Sequence, residues 1–181
     1  MAGLDEDRKN RERADGDSPH SHEMVSIVLH VNGQAHPLPV EPRMTLAEVL
    51  RGPLGLKGTK VACDRGACSA CTVWLENEVV ASCSILAVEV GDRPVTTIEG
   101  LTGDRSLHPV QEAFIAHDAV QCGFCTPGLV MSCARLLADN PHPDETDIRT
   151  AISGHLCRCG TYPHVLRAIL ALGKTEGSQH E

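Results

Sequence analysis

Eight of the nine cysteines fall into two quartets. Cys63, Cys68 and Cys71 lie on one short run with Cys83 following, and Cys122 and Cys125 are answered by Cys157 and Cys159. Thiolates in fours are metal ligands, and these spacings in a chain without an apolar export signal favour metal over disulfides. Structural zinc usually builds each half of its site from C-x2-C to C-x4-C knuckles. Three ligands on one glycine-rich loop with a fourth after a hairpin form instead a cradle for a two-iron, two-sulfide cluster, whose chemistry is one-electron transfer. The second quartet taken alone is less specific and also admits zinc or a pair of disulfides. Cys133 stands among Leu129, Val130, Leu136 and Leu137 on a helical pattern, where a small buried thiol needs no further role.

The 181 residues suit two small domains, one for each quartet. Cores of that size are marginal, and an aromatic content of 2% enlarges them little, so metal clusters would supply cross-links. A formal net charge of -8 argues against nucleic acid, whose phosphates want a basic face. No apolar run reaches the roughly 18 to 20 residues that span a bilayer. These features point to the cytoplasm. Residues 1–23 are almost wholly polar and read as a flexible tail in which His20 and His22 are solvated, and residues 176–181 read as a second tail.

The elements that must position the first quartet begin at Val25, where Val25, Ile27, Leu29 and Val31 alternate as in a half-buried strand. Asn32-Gly33 predicts a hairpin turn, and Leu38 and Val40 the return strand. Thr45 and Glu48 form a capping box that opens a short helix with Leu46, Val49 and Leu50. A loop punctuated by Gly52, Gly55, Gly58 and Gly66 then carries three cysteines, since amides must curl around a cluster there. Strands at Thr72–Leu75 and Val79–Ala81 deliver Cys83 back to the loop, and a last strand at Pro94–Ile98 completes a mixed sheet with one helix. Trp74 reads as a large strand residue covering a small core rather than as an electron relay.

After Gly100 the period becomes helical, which sets a boundary between 24–100 and 101–175. Three of four predicted helices open on a proline, Pro109, Pro127 and Pro163, and the third starts near Asp144. Asn140-Pro141, Gly154 and Gly173 stop the second, third and fourth. The cysteine pairs lie in the first and third gaps, which share one end of an up-down-up-down bundle. Two helix amino ends then face the four thiolates.

Four segments carry a resemblance: Cys63-Asp-Arg-Gly-Ala-Cys68-Ser-Ala-Cys71-Thr-Val, Thr97-Ile-Glu-Gly-Leu101, Gln121-Cys-Gly-Phe-Cys-Thr-Pro-Gly128 and Leu156-Cys-Arg-Cys-Gly160. Over residues 24–172 the chain resembles the small iron-sulfur subunit of the molybdenum hydroxylases, the family of xanthine dehydrogenases, aldehyde oxidoreductases, carbon monoxide dehydrogenase and N-heterocycle hydroxylases. The resemblance implies an α+β chain, with a β-grasp [2Fe-2S] ferredoxin domain followed by an all-α four-helix-bundle [2Fe-2S] domain. It implies two [2Fe-2S] clusters, on Cys63, Cys68, Cys71 and Cys83 and on Cys122, Cys125, Cys157 and Cys159. It further implies a large partner subunit with a molybdenum-pterin cofactor and a medium subunit with FAD, electrons passing from the molybdenum site through the later cluster, then the ferredoxin cluster, to FAD. Gln121 matches the glutamine that contacts the pterin, and Cys159 lies in the segment facing it. Ser69 departs from the pattern, for the family usually has glycine there, and suits the loop only if its backbone torsion tolerates a side chain.

No nucleophile with an evident base, phosphate loop or H-x3-H pair occurs, so substrate chemistry belongs to another polypeptide. A free-standing ferredoxin and a zinc-stapled interaction module are the competing readings.

Overall fold

The computed structural model describes residues 23–102 and 106–175. The expected tails, with His20 and His22, lie outside the described residues apart from Glu23. The chain is α+β, with its sheet in the first half and its long helices in the second.

Strand β1 (Val25–Val31) turns at Asn32-Gly33 into β2 (Gln34–Val40), with Val31 opposite Gln34. Both turn residues have positive φ, 51° and 78°, the geometry that tight hairpins need. Thr45 caps α1 (Leu46–Arg51) through the box expected: its hydroxyl accepts from the Glu48 amide at 3.2 Å, and the Glu48 carboxylate accepts from the Thr45 amide at 2.7 Å. Strands β3 (Thr72–Leu75) and β4 (Glu78–Ala81) form a second antiparallel pair. The sheet order is β2-β1-β5-β3-β4, in which only the β1–β5 pairing is parallel. Leu29, Val31, Leu46, Leu50 and Val73 are fully buried between sheet and helix.

Strand β5 is only Val95–Thr96, shorter than the Pro94–Ile98 predicted. The Asn32 side chain accounts for the early stop. It accepts the Thr97 amide at 2.9 Å and donates to the Thr97 hydroxyl at 3.0 Å, after which Ile98–Gly100 tightens into a 3-10 turn.

The second half holds α2 (Pro109–Ala116), α3 (Thr126–Asp139), α4 (Glu145–Ile152) and α5 (Tyr162–Thr175). α2 packs on α5, and α4 packs on both α3 and α5, around Phe114, Leu129, Ile148, Val165 and Ile169. Asp144 caps α4 by exchanging hydrogen bonds with Asp147, and α3 ends at Asp139 before Asn140-Pro141. α4 ends at Ile152 with Ser153 as its cap, ahead of Gly154. Gly173 does not stop the last helix, which continues to Thr175. Its missing side chain serves packing instead, since a Cβ there would lie 3.2 Å from Pro143 Cδ, and its carbonyl meets His142 Nδ1 at 2.9 Å.

Trp74 covers a core, as expected of a large strand residue. It packs against the helical core, not the sheet core, and its indole N–H donates to Met131 O in mid-α3 at 2.9 Å. The Arg135 guanidinium lies 5.9 Å from the indole centroid, pairs with Asp139 and donates to Asn77 Oδ1 at 3.3 Å. The two halves are thereby joined through β3 and α3.

Candidate metal centres

The loop between α1 and β3 presents Cys63, Cys68 and Cys71, and the 3-10 turn after β4 brings Cys83 to them. Cys71 and Cys83 are buried against Ala47 of α1, a residue small enough to admit both sulfurs. Main-chain amides point at the sulfurs: Ala67 N–H donates to Cys63 Sγ at 3.2 Å and Gly66 N–H to Cys83 Sγ at 3.3 Å. Gly66 has φ 72°, and a Cβ there would sit 2.8 Å from Ser84 Oγ. Ser69 has φ 54°, the left-handed region that disfavours a side chain, so the loop keeps a glycine-like torsion with a serine in it. Its carbonyl accepts from both the amide and the hydroxyl of Thr72.

Electrostatics divides this quartet. Hydrogen bonds from the Arg65 amide, then from the Cys68 thiol, bring the Cys63 thiol down to about 7. Burial, aided by the Cys83 thiol, pushes Cys71 up to about 11.

Cys122 and Cys125 precede α3, with Cys125 as the residue that caps it, while Cys157 and Cys159 precede α5. The four are remote in sequence and meet at one end of the helices. All four are free thiols, Cys122 lying beside Cys159 and Cys125 beside Cys157. Burial, then the Cys157 thiol, pushes Cys125 up to about 12. Burial also pushes Cys157 up, but hydrogen bonds from the Thr161 amide and hydroxyl and from Cys125 outweigh it and bring Cys157 to about 7. A cavity of about 530 Å³ opens beside these thiols, and Cys68 and Ala70 of the first loop form part of its wall.

Within each quartet the thiols neighbour one another, 63 beside 68 and 71 beside 83, then 122 beside 159 and 125 beside 157. Among the described residues no three His, Cys, Asp or Glu side chains gather as tightly as one ion requires. Paired thiols suit a two-iron cluster better than a single tetrahedral zinc, and amides aimed at sulfur are the neighbours that such clusters use. The donor set thus fits the implied group. Cys133 is fully buried in the helical core, and burial pushes its thiol up to about 12, as expected for an inert residue.

The two sites lie against each other. Leu156, adjacent to Cys157, donates its amide to Cys68 O at 3.1 Å. Gly128 of α3 passes so close that a Cβ there would fall 2.3 Å from Ser69 O. Gln121 is exposed, and its amide nitrogen is 3.5 Å from Cys159 O.

Sequence reasoning missed the residues that brace the second site. Ser132 and His155 are each 4% exposed and share a 2.7 Å hydrogen bond, and the Tyr162 hydroxyl touches the Cys157 amide. The one available signal was the single tyrosine of the chain standing three residues after Cys159.

Residues 29–100 match the family model of the 2Fe-2S iron-sulfur cluster binding domain, and residues 97–170 match that of the [2Fe-2S] binding domain. The small subunit of nicotine 6-hydroxylase from Paenarthrobacter nicotinovorans is 42% identical over 153 residues, covering 84% of this chain and 92% of that protein. The iron-sulfur-binding subunit of an aldehyde oxidoreductase from Escherichia coli strain K12 is 40% identical over 162 residues, covering 81% of this chain and 71% of that one. Quinoline 2-oxidoreductase from Pseudomonas putida 86 superposes with a TM-score of 0.81 at 38% identity, covering 85% of this chain and 95% of that chain. No helix among the described residues is long and apolar enough to cross a membrane.

Proposed function

The chain belongs to the small iron-sulfur subunits of the molybdenum hydroxylases, and from that membership we propose that it relays electrons between a molybdenum-pterin site on a large subunit and FAD on a medium one. The relatives are named as subunits, which runs against a free-standing ferredoxin. Large-subunit chemistry would be the oxidative hydroxylation of an N-heterocycle, a purine or an aldehyde, and the assembly would sit in the cytoplasm.

Bound in the two quartets, [2Fe-2S] clusters would supply a pair of one-electron carriers. Cys63, Cys68, Cys71 and Cys83 would hold one in a β-grasp ferredoxin domain over 24–100. Cys122, Cys125, Cys157 and Cys159 would hold the other in a four-helix bundle over 101–175. The observation that carries this reading is the pair of main-chain amides, Gly66 and Ala67, aimed at the sulfurs of Cys83 and Cys63. Around the first site the Gly66 and Ala67 amides would stabilise the sulfur charge. Around the second, the amino ends of α3 and α5 would do so. Gln121, exposed beside Cys159, would meet the pterin and place this end toward the molybdenum subunit.

The test is anaerobic purification of the native assembly. Equal iron and acid-labile sulfide, two distinct [2Fe-2S] signals by electron paramagnetic resonance after reduction, and co-purifying flavin and molybdenum subunits are expected. A colourless zinc protein, or a stable monomer without larger partners, would overturn the reading.

A further inference from the structure

Three successive amides lead into the later cysteine pair, and each is committed to a different part of the molecule. His155 N–H donates to Ile152 O at the end of α4 at 2.9 Å, and Leu156 N–H to Cys68 O at 3.1 Å. Cys157 N–H donates to the Tyr162 hydroxyl at 2.7 Å. That hydroxyl gives its own hydrogen to His155 O at 2.8 Å. One phenol thus closes a ring over the main chain of residues 155–157.

The ring rests on a fixed base. The His155 ring is buried and bonded to Ser132 Oγ through Nε2, while its Nδ1 meets no hydrogen-bond partner among the described residues. Ser132 lies in the middle of α3, the helix that Cys125 caps. The carbonyl that Tyr162 grips is thereby tied to the helix carrying another cysteine of the same quartet.

The destination of the Cys157 amide differs from that of the amides around the first quartet. There, Gly66 and Ala67 aim their hydrogens at sulfur. Here, Thr161 Oγ1 lies 3.5 Å from Cys157 Sγ, but the Cys157 amide itself is taken by oxygen. An amide donated to a cluster sulfur stabilises the more negative, reduced form and raises the potential, so an amide withheld leaves it lower.

We propose that Tyr162 is a positioning residue for the helical cluster, whose hydroxyl withholds the Cys157 amide from the cluster sulfurs and so keeps that cluster harder to reduce. The inference rests on the reading of Cys157 as a cluster ligand. Without the hydroxyl, the amide must find another acceptor, and the sulfurs gathered at that loop are the acceptors the ligand reading provides. The ferredoxin cluster, served by its own amides, supplies an internal control.

The experiment is a redox titration of the full chain, followed by electron paramagnetic resonance, for the unaltered protein and Tyr162→Phe. The midpoint of the helical cluster should rise, equivalent to about a threefold to tenfold change in its reduced-to-oxidised ratio, tenfold being about 59 mV for one electron. The ferredoxin midpoint should stay in place. Pulsed measurements after exchange into heavy water should show one more deuteron strongly coupled to the helical cluster in Tyr162→Phe. Tyr162 is the only tyrosine in the chain, so growth on 3-fluorotyrosine alters this one hydroxyl while keeping the ring. A weaker acceptor should shift the midpoint in the same direction by less, and this substitution decides the matter if Tyr162→Phe fails to retain its cluster. An intact helical cluster with an unmoved midpoint, or both midpoints moving together, would overturn the proposal. Failure of the unaltered chain to show a second [2Fe-2S] signal would instead sink the ligand reading beneath it.

Discussion

Trp74 donates its indole hydrogen to the carbonyl oxygen of Met131, fastening β3 to the middle of α3. Trp74 stands three residues after Cys71, and Met131 six residues after Cys125, so the bond ties together the segments that leave the two quartets. The Arg135 guanidinium over the indole adds a cation–π contact to the same joint.

Trp74→Phe keeps an aromatic ring but loses the donor. It should destabilise the chain by about 1 to 2 kcal/mol, from one hydrogen bond and a weakened cation contact. Thermal unfolding against the unaltered chain measures the loss, and both cluster signals should survive. An unchanged melting temperature would show that the halves are held elsewhere.

Ser69→Gly should stabilise the ferredoxin loop. Serine at φ 54° bears the steric penalty of the left-handed region, about 1 kcal/mol or somewhat more, which glycine does not. Glycine gives back part of that gain through the unfolded chain, leaving a net effect below about 1 kcal/mol. A higher midpoint in denaturant with an unaltered slope is the expected result.

Single serine substitutions separate the two sites. Cys63→Ser, Cys68→Ser, Cys71→Ser or Cys83→Ser should disturb only the ferredoxin signal. Cys122→Ser, Cys125→Ser, Cys157→Ser or Cys159→Ser should disturb only the other. Loss of both signals from one substitution would show that the sites are not independent.

Gln121→Ala should leave both clusters intact and slow their reduction by substrate in the assembled enzyme, by about tenfold if a contact in the transfer path is lost. Stopped-flow bleaching of the cluster absorbance gives the rate. Unchanged kinetics would remove Gln121 from the cofactor contact.

In the cluster-free chain the thiols should react in an order set by their surroundings. Cys63, brought down to about 7, is mainly thiolate above that pH and mainly thiol below it. Cys71 at about 11 and Cys125 at about 12 remain thiols throughout the neutral range. Alkylation of Cys63 should therefore accelerate as pH rises through 7 and level off only above it, while Cys71 and Cys125 stay slow. Peptide mapping after brief alkylation at several pH values checks this.

Local rules made much of this architecture legible. The Asn32-Gly33 turn, the Thr45–Glu48 box and the change of period after Gly100 depend on neighbouring residues, and each appears where the sequence places it. The convergence of the later quartet was readable because the cysteine pairs occupy alternate helix gaps. What escaped depends on partners distant in sequence. β5 is cut short by a side chain from the first hairpin, and Trp74 faces a core built by the other half of the chain. The same holds for the Ser132–His155 pair, which links α3 to the segment after α4, and for Gly173, whose neighbour Pro143 precedes the third helix. Alternation and spacing carry no information about such meetings.

The pairing of Cys122 with Cys159 and of Cys125 with Cys157 also has a consequence for biosynthesis. A nascent chain possesses every thiol of the earlier quartet once Cys83 has left the ribosome, whereas each half of the later one waits for Cys157 or Cys159. With the cysteines as ligands, iron and sulfide would therefore be deliverable to the ferredoxin loop before the later cysteines are made. Delivery to the helical site would wait for Cys157 and Cys159, after which the Leu156–Cys68 bond closes one loop over the other. Maturation acquires an order from topology alone, and a ribosome stalled between the two quartets should carry a chain competent for one loading event and not for both.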